Sequence, residues 1–306
     1  MIRNKQRGGR GGGDKAFSGD VIEILDRKTS SYTGTIEKRG TNWVVIPDAR
    51  ELDGKPVVVR DAESKYASVG DKVVFEMTDY PEGNDLGEGV IVRVLGEAGL
   101  PDVETQAVIA AYSLPSNEFP ESCVQQAREA TREFDEAIER FRKGEKLEGR
   151  EDLTGDFVCT IDPPDAKDYD DAISIKRLGK DEGGGWELSV HIADVGSFID
   201  TNSVLDIEAK DRGNSVYLPR LVIPMLPEVL SNGICSLQEG VERFAKTAII
   251  RYNDRGEVTG QGAASTIIKS RKRMTYLEAQ ALIDGDQEEA KKHAKTEPNY
   301  TPELIS

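Results

Sequence analysis

The sequence predicts an α+β protein in three parts: a small N-terminal β-barrel, a helical linker, and an α+β domain filling the second half. Three observations carry this. Short strand-like runs separated by turn residues recur over residues 17–98. Residues 99–150 change to the apolar spacing of helices. From about Leu153, strands and capped helices alternate around an acidic loop. A length of 306 residues suits two domains with a sizeable core.

Residues 1–16 read MIRNKQRGGRGGGDKA, a glycine- and arginine-dominated arm that predicts flexibility and loose contact with a phosphate backbone. Strands are expected at 19–25, 31–37, 42–47, 56–60, 71–78 and 87–95. Gly40, Asp53-Gly54, Val69-Gly70-Asp71 and Glu82-Gly83-Asn84-Asp85 supply the turns. Alternation sets Trp43 and Val45 on one face, Val44 and Ile46 on the other. Strands of this number and spacing predict an OB-type barrel. Tyr32, Trp43 and Tyr66 are candidates for base stacking, against the plainer assignment to core or rim.

The linker breaks at Leu114-Pro115, and its second helix is expected over about 121–142. Val124, Ala127, Phe134, Ala137, Ile138 and Phe141 form the apolar stripe that packs on a neighbour. Beyond it, strands are expected at 156–161 and 172–177 on either side of the loop 162–171. Gly183-Gly184-Gly185 turns the chain into a strand at 186–192. Ser203 caps a helix, with Asp206 three residues on and Gly213 as the stop. Residues 217–226 read as one extended, proline-punctuated run. Strands follow near 245–252 and 262–269, and Thr275 with Glu278 forms the capping box of a helix ended by Gly285.

The net charge is −16, which taken alone speaks against a nucleic-acid binder. The positive charge is uneven, however. Arg3, Lys5, Arg7, Arg10 and Lys15 crowd the arm, and Lys269, Arg271, Lys272 and Arg273 form a second cluster, for which a solvated charge run is the plain expectation. Three scattered cysteines and two histidines argue against a zinc site, and the lack of a disulfide framework suits a cytoplasmic location. No apolar stretch reaches membrane-spanning length.

The most informative segment is 160–171, TIDPPDAKDYDD. Five aspartates fall within ten residues, and Pro163-Pro164 forbids a helix. Two unit charges about 4 Å apart repel by about 4 kcal/mol at an effective dielectric near 20. Lys167 alone cannot neutralise five acids, so the loop either points into water or holds a cation. Oxygen ligands without Cys or His suit Mg²⁺, with Mn²⁺ as the alternative. The chemistry of such a cluster is metal-assisted phosphodiester hydrolysis.

The run TIDPPDAKDYDDAISI resembles the acidic signature of the ribonuclease II / ribonuclease R (RNB) family, an Asp followed six, eight and nine residues later by three more. HIADVGSFI, EAKDRGNSVYLPRLVIPMLPEVLSNGICSL and SRKRMTYLEAQ are similar to its next segments, in order, over about residues 150–285. Upstream, FSGDVIEILDRKTSSYTGTIEKRG and GEGVIVRVLGE resemble the cold-shock (OB) domain that precedes the catalytic domain. The resemblance implies a cold-shock barrel over 17–98, a linker over 99–150, and the first part of an RNB-type α+β catalytic domain over 151–306. It implies a 3′→5′ hydrolytic exoribonuclease acting on single-stranded RNA and releasing nucleoside 5′-monophosphates. Asp162, Asp168 and Asp171 would hold magnesium, Asp170 would be the indispensable carboxylate, and Tyr217 of SVYLP would pack against the last nucleotide. A full member has a longer catalytic domain with a later arginine and glutamate that this chain lacks. The expectation is therefore a fragment, monomeric, that cleaves RNA poorly or not at all. The alternative from another class is a non-catalytic RNA-binding barrel protein.

Overall fold

The computed structural model describes residues 31–80, 85–301 and 304. The expected arm at 1–16, the strand at 19–25 and most of the turn at 82–85 lie outside the described residues. The chain divides into two compact units, the first ending at Pro115 and the second starting at Ser116. The division falls inside the expected linker.

In the first unit β1 (Ser31–Arg39), β2 (Asn42–Pro47), β3 (Val57–Val59), β4 (Asp71–Asp79) and β5 (Gly87–Glu97) close a barrel in the order β1-β2-β3-β5-β4. The expected strands are all present among the described residues. Inward positions supply the core of Ile36, Val45, Val57, Val59, Val73, Phe75 and Ile91. Val44, assigned to the opposite face, is also buried. Of the stacking candidates, Tyr32 lies 6.0 Å from Phe75 and Trp43 donates to Glu63, both packed on the core, whereas Tyr66 is 92% exposed. Helix α1 (Pro101–Ala111) opens on Pro101, whose missing N–H costs nothing at a helix start, and packs on β1, β4 and β5.

In the second unit α2 (Glu121–Arg142) buries Cys123, Ala127, Phe134 and Ile138, spaced as one helical stripe. Phe134 meets Phe198 and Phe244 edge-on, with centroids 5.6 and 5.0 Å away. The strands are β6 (Glu151–Asp152), β7 (Val158–Asp162), β8 (Asp171–Arg177) and β9 (Trp186–Ala193). Then come α3 (Val204–Arg212), the hairpin β10 (Val216–Leu218) and β11 (Leu221–Ile223), the long pair β12 (Glu242–Tyr252) and β13 (Val258–Thr275), and helices α4 (Tyr276–Ile283) and α5 (Gln287–His293). The sheet order is β12-β9-β8-β7-β13-β6, and β12 also pairs with β13, so five strands close on themselves.

The caps read from the sequence are in place. Ser203 accepts from the Asp206 N–H, Gly213 ends α3 at φ 75°, and Thr275 with Glu278 forms the capping box of α4. Gly185 is required by more than its turn: a Cβ there would lie 1.9 Å from the Tyr252 carbonyl oxygen. One reading is corrected. Residues 217–226 are not a single extended run, because Pro219-Arg220 turns the chain back into the β10–β11 hairpin. Helix α5 and the helical turn Val229–Ile234 were not expected.

The strand register lines up one outward face. Ile173 pairs with Val190, Ile175 with Leu188, and Arg177 with Trp186; Val190, Leu188 and Trp186 pair in turn with Ala248, Ile250 and Tyr252. Ile175 is 58% exposed, and Ile192 and Trp186 are exposed too. The opposite face holds a buried polar chain, Ser174 Oγ to His191 Nε2 (3.0 Å), His191 Nδ1 to Thr247 (2.8 Å) and Thr247 to Thr266 (2.7 Å).

Candidate active site

The acidic loop emerges where two strands part. β7 and β8 are registered at Val158–Ser174 and Cys159–Ile173 and pair no further. Each strand then takes another partner: Asp162 lies beside Thr275 of β13, and Asp171 beside Ile192 of β9. The splayed ends leave 162–171 to span the gap, with Pro163-Pro164 stiffening its entry.

The loop is pinned through its backbone. Tyr169 N–H donates to Ser236 Oγ (3.1 Å), and Ser236 Oγ donates to the Lys167 carbonyl (2.8 Å). Leu237 N–H donates to the Tyr169 carbonyl and Ala193 N–H to the Asp170 carbonyl. The Tyr169 ring is buried, and its hydroxyl donates to the Ala166 carbonyl (2.8 Å). Arg273 donates to the Pro164 carbonyl at 3.1 Å, with its guanidinium 4.8 Å from the Tyr169 ring. Neither Ser236 nor Arg273 stood out in the sequence as a loop-holding residue, because such contacts follow from chain crossings that spacing does not reveal.

The carboxylates differ in environment. Asp162 is buried, its Oδ2 has no hydrogen-bond partner, and burial first, then the charges of Asp171 and Asp170, pushes its pKa up. Asp170 is exposed as a residue, yet desolvation around its carboxyl, followed by the charges of Asp171 and Asp168, raises its pKa too. Asp168 is half-buried and accepts the Tyr217 hydroxyl at 2.8 Å. That bond, with burial and the charge of Asp168 behind it, pushes the phenol up to about 12. Asp171 and Asp165 are exposed.

The structure thus couples Asp162 to Asp170 and Asp171, couples Asp170 in turn to Asp168 and Asp171, and adds Tyr217 from the β10–β11 hairpin. Among the described residues no three His, Cys, Asp or Glu side chains are closed into a ready metal-ligand group. The residues fit a hard divalent cation on another ground: a buried, unpartnered carboxylate oxygen on Asp162 beside further carboxylates, with no soft ligand near, is the donor set such an ion takes. A cleft of about 1240 Å³ lies elsewhere, lined by Trp186, Tyr252, Arg177 and Arg271 among others and by none of the loop carboxylates.

The basic cluster is not the solvated run expected. Lys272 is buried against Glu278 (3.2 Å), Lys269 pairs with Glu242, and Arg273 serves the loop; Arg271 alone of the four is fully exposed. The three cysteines are free and buried. Among the described residues no helix is long and apolar enough to cross a membrane.

The family model for the RNB domain matches residues 150–304, and that for a cold shock domain matches residues 44–120. The chain is similar to Ribonuclease R of Acidithiobacillus ferrooxidans, 36% identical over 273 residues, covering 89% of this chain and 59% of that protein. It is 39% identical to Ribonuclease R of Thermotoga maritima over 267 residues, covering 87% of this chain and 36% of the relative. Among solved structures it resembles Mycoplasma genitalium RNase R in complex with ribose methylated single-stranded RNA. The TM-score is 0.73 at 27% identity, covering 96% of this chain and 43% of the other. The chain spans between about a third and three-fifths of the length of these curated relatives.

Proposed function

The chain belongs to the RNB domain family, and on that premise we propose that it is part of a 3′→5′ exoribonuclease that hydrolyses single-stranded RNA to nucleoside 5′-monophosphates at the loop 162–171. The observation that carries this reading is the buried, unpartnered Asp162 oxygen in the field of Asp170 and Asp171, with Tyr217 hydrogen-bonded to Asp168 of the same loop. The RNA-bound state of the Mycoplasma relative supports the choice of substrate.

In this reading Asp162, Asp168 and Asp171 hold magnesium, or manganese in its place. When bound, the ion supplies Lewis-acid stabilisation of phosphoryl charge and a more acidic water. The chain's own residues do the rest. Asp170, exposed and facing the same charges, is the catalytic carboxylate. Tyr217, 65% exposed and oriented by its bond to Asp168, presents its ring to the last base and fixes the 3′ end over the loop. The barrel of the first unit adds RNA affinity through exposed groups such as Tyr66. We assign 17–98 to RNA binding, 99–150 to linkage and 151–306 to the first part of the catalytic domain, in a monomeric, cytoplasmic protein.

Weak activity of this chain by itself completes the proposal. Two observations support it: the uncovered apolar face of Ile173, Ile175 and Ile192, and the greater length of the relatives. The test is incubation with a 5′-labelled single-stranded RNA, with and without Mg²⁺, beside Asp170→Asn. The expected result is clear binding by both proteins and slow shortening from the 3′ end that needs both Mg²⁺ and Asp170. Shortening that persists without either contradicts the assignment of the site. Binding that weakens steeply with salt and is indifferent to both Mg²⁺ and Asp170→Asn, with no cleavage, favours the non-catalytic RNA-binding alternative.

A further inference from the structure

We infer that Arg273 is the positioning residue of the acidic loop: its guanidinium, lodged between the Pro164 carbonyl and the Tyr169 ring, holds Asp162–Asp171 in the arrangement that receives a divalent cation. The inference rests on the reading of that loop as the metal site.

Three features of β13 carry it. The first is a register shift. Between Ser270 and Lys272 the pairing of β13 with β7 slips, so that Ser270 faces Val158, Lys272 faces Cys159 and Arg273 faces Thr160. Arg271 is the extra residue, turned out to donate to the Thr154 carbonyl. A bulge of this kind re-aims the side chains that follow it. Here it sends Lys272 inward to Glu278 and leaves Arg273 at the level of the loop's entry.

The second feature is what the guanidinium touches. It bonds the carbonyl of Pro164 near the loop's start and lies over the ring of Tyr169 near its end. It therefore spans the segment whose carboxylates must converge. Among the described residues it forms no ion pair with a carboxylate, so it is not tied up as an ordinary salt-bridge partner. Its backbone N–H is held separately by Glu239 Oε2 at 2.7 Å.

The third is that Arg273 Nε is buried with no acceptor. An unmatched buried donor is destabilising. A side chain serving packing alone would be better as a methionine, whereas a planar guanidinium can bond a carbonyl and cover an aromatic ring together.

The test uses the full chain with Arg273→Lys and Arg273→Gln. Amide hydrogen exchange is followed over 165–171, and Mn²⁺ binding is followed by the loss of the free-ion paramagnetic resonance signal. Both variants are expected to speed exchange in the loop at least tenfold while α2 is unchanged. Mn²⁺ affinity is expected to fall about tenfold in Arg273→Gln. Deleting a positive charge near a cation site would by itself tighten the cation, so the direction separates positioning from simple charge balance. Unchanged loop exchange with unchanged or tighter Mn²⁺ binding overturns the inference. Where Arg273→Gln loses cooperative thermal unfolding, Arg273→Lys decides by the same criteria. If the wild-type chain takes up no Mn²⁺, the metal reading of the loop fails, and the exchange comparison still decides whether Arg273 holds it.

Discussion

The hydroxyl of Tyr217 donates to Asp168 across 2.8 Å, although 49 residues separate them in the chain. The bond joins strand β10 of a short hairpin to the acidic loop, so a residue that would contact a nucleotide base is oriented by one of the carboxylates. Removing the ring and removing the hydroxyl should therefore differ. Tyr217→Ala is expected to weaken single-stranded RNA binding by about 1–3 kcal/mol, the usual worth of one stacked base. Tyr217→Phe should keep most of that affinity. Fluorescence anisotropy with a labelled oligonucleotide checks this, and equal losses in both variants would mean that the hydroxyl, not the ring, is the contact.

His191 makes stability depend on pH. It is fully buried between Ser174 and Thr247, and burial lowers its pKa to about 4. In an unfolded chain its pKa is about 6.5. Between these values the unfolded state binds more protons, so stability rises with pH across the window and is lost as pH falls through it. The loss should total about 3 kcal/mol by pH 4 and then level off. Urea denaturation of the wild type and of His191→Gln isolates this contribution. The variant should show a flatter dependence between pH 4 and 6.5, and identical slopes would rule the histidine out as its source.

Lys272 and Glu278 are an ion pair 3.2 Å apart at 3% and 0% side-chain exposure. Tyr300 donates to Glu278, and Lys272 donates to Thr296 and to the Glu297 carbonyl, so the pair anchors the segment that follows α5. Breaking a buried pair strands a charge and costs about 3–5 kcal/mol. Lys272→Met alone should lower the thermal midpoint markedly, whereas Lys272→Met with Glu278→Leu should recover much of it. A double variant no more stable than the single one would show that the remaining hydrogen bonds, not the stranded charge, set the cost.

What was legible in the sequence was local. Alternation in the barrel, the stripe on α2 and the caps at Ser203 and Thr275 each depend on residues within a few positions of one another, and they appear where expected. The acidic loop was legible as a cluster because five aspartates are adjacent in sequence. What it rests on was not. Ser236 and Arg273 reach it from 67 and 109 residues away. The cluster 269–273 reads as solvated because adjacent charges usually are; instead Lys269 faces Glu242 across β12, and the bulge after Ser270 sends Lys272 and Arg273 to two further partners. The hairpin at Pro219-Arg220 was hidden by the two prolines of 217–226 and Pro227 just after it, which read equally well as an extended run.

A divalent cation at the loop 162–171, held in part by the buried Asp162 carboxylate, is what the proposed chemistry requires. The most direct measurement is calorimetric titration of Mg²⁺ into the wild-type chain and into Asp162→Asn, without RNA. Saturable binding by the wild type, weakened at least tenfold by Asp162→Asn while the thermal midpoint stays within a few degrees, is the predicted result. Saturable binding of equal strength in both proteins would place the cation elsewhere and contradict the assignment of the loop.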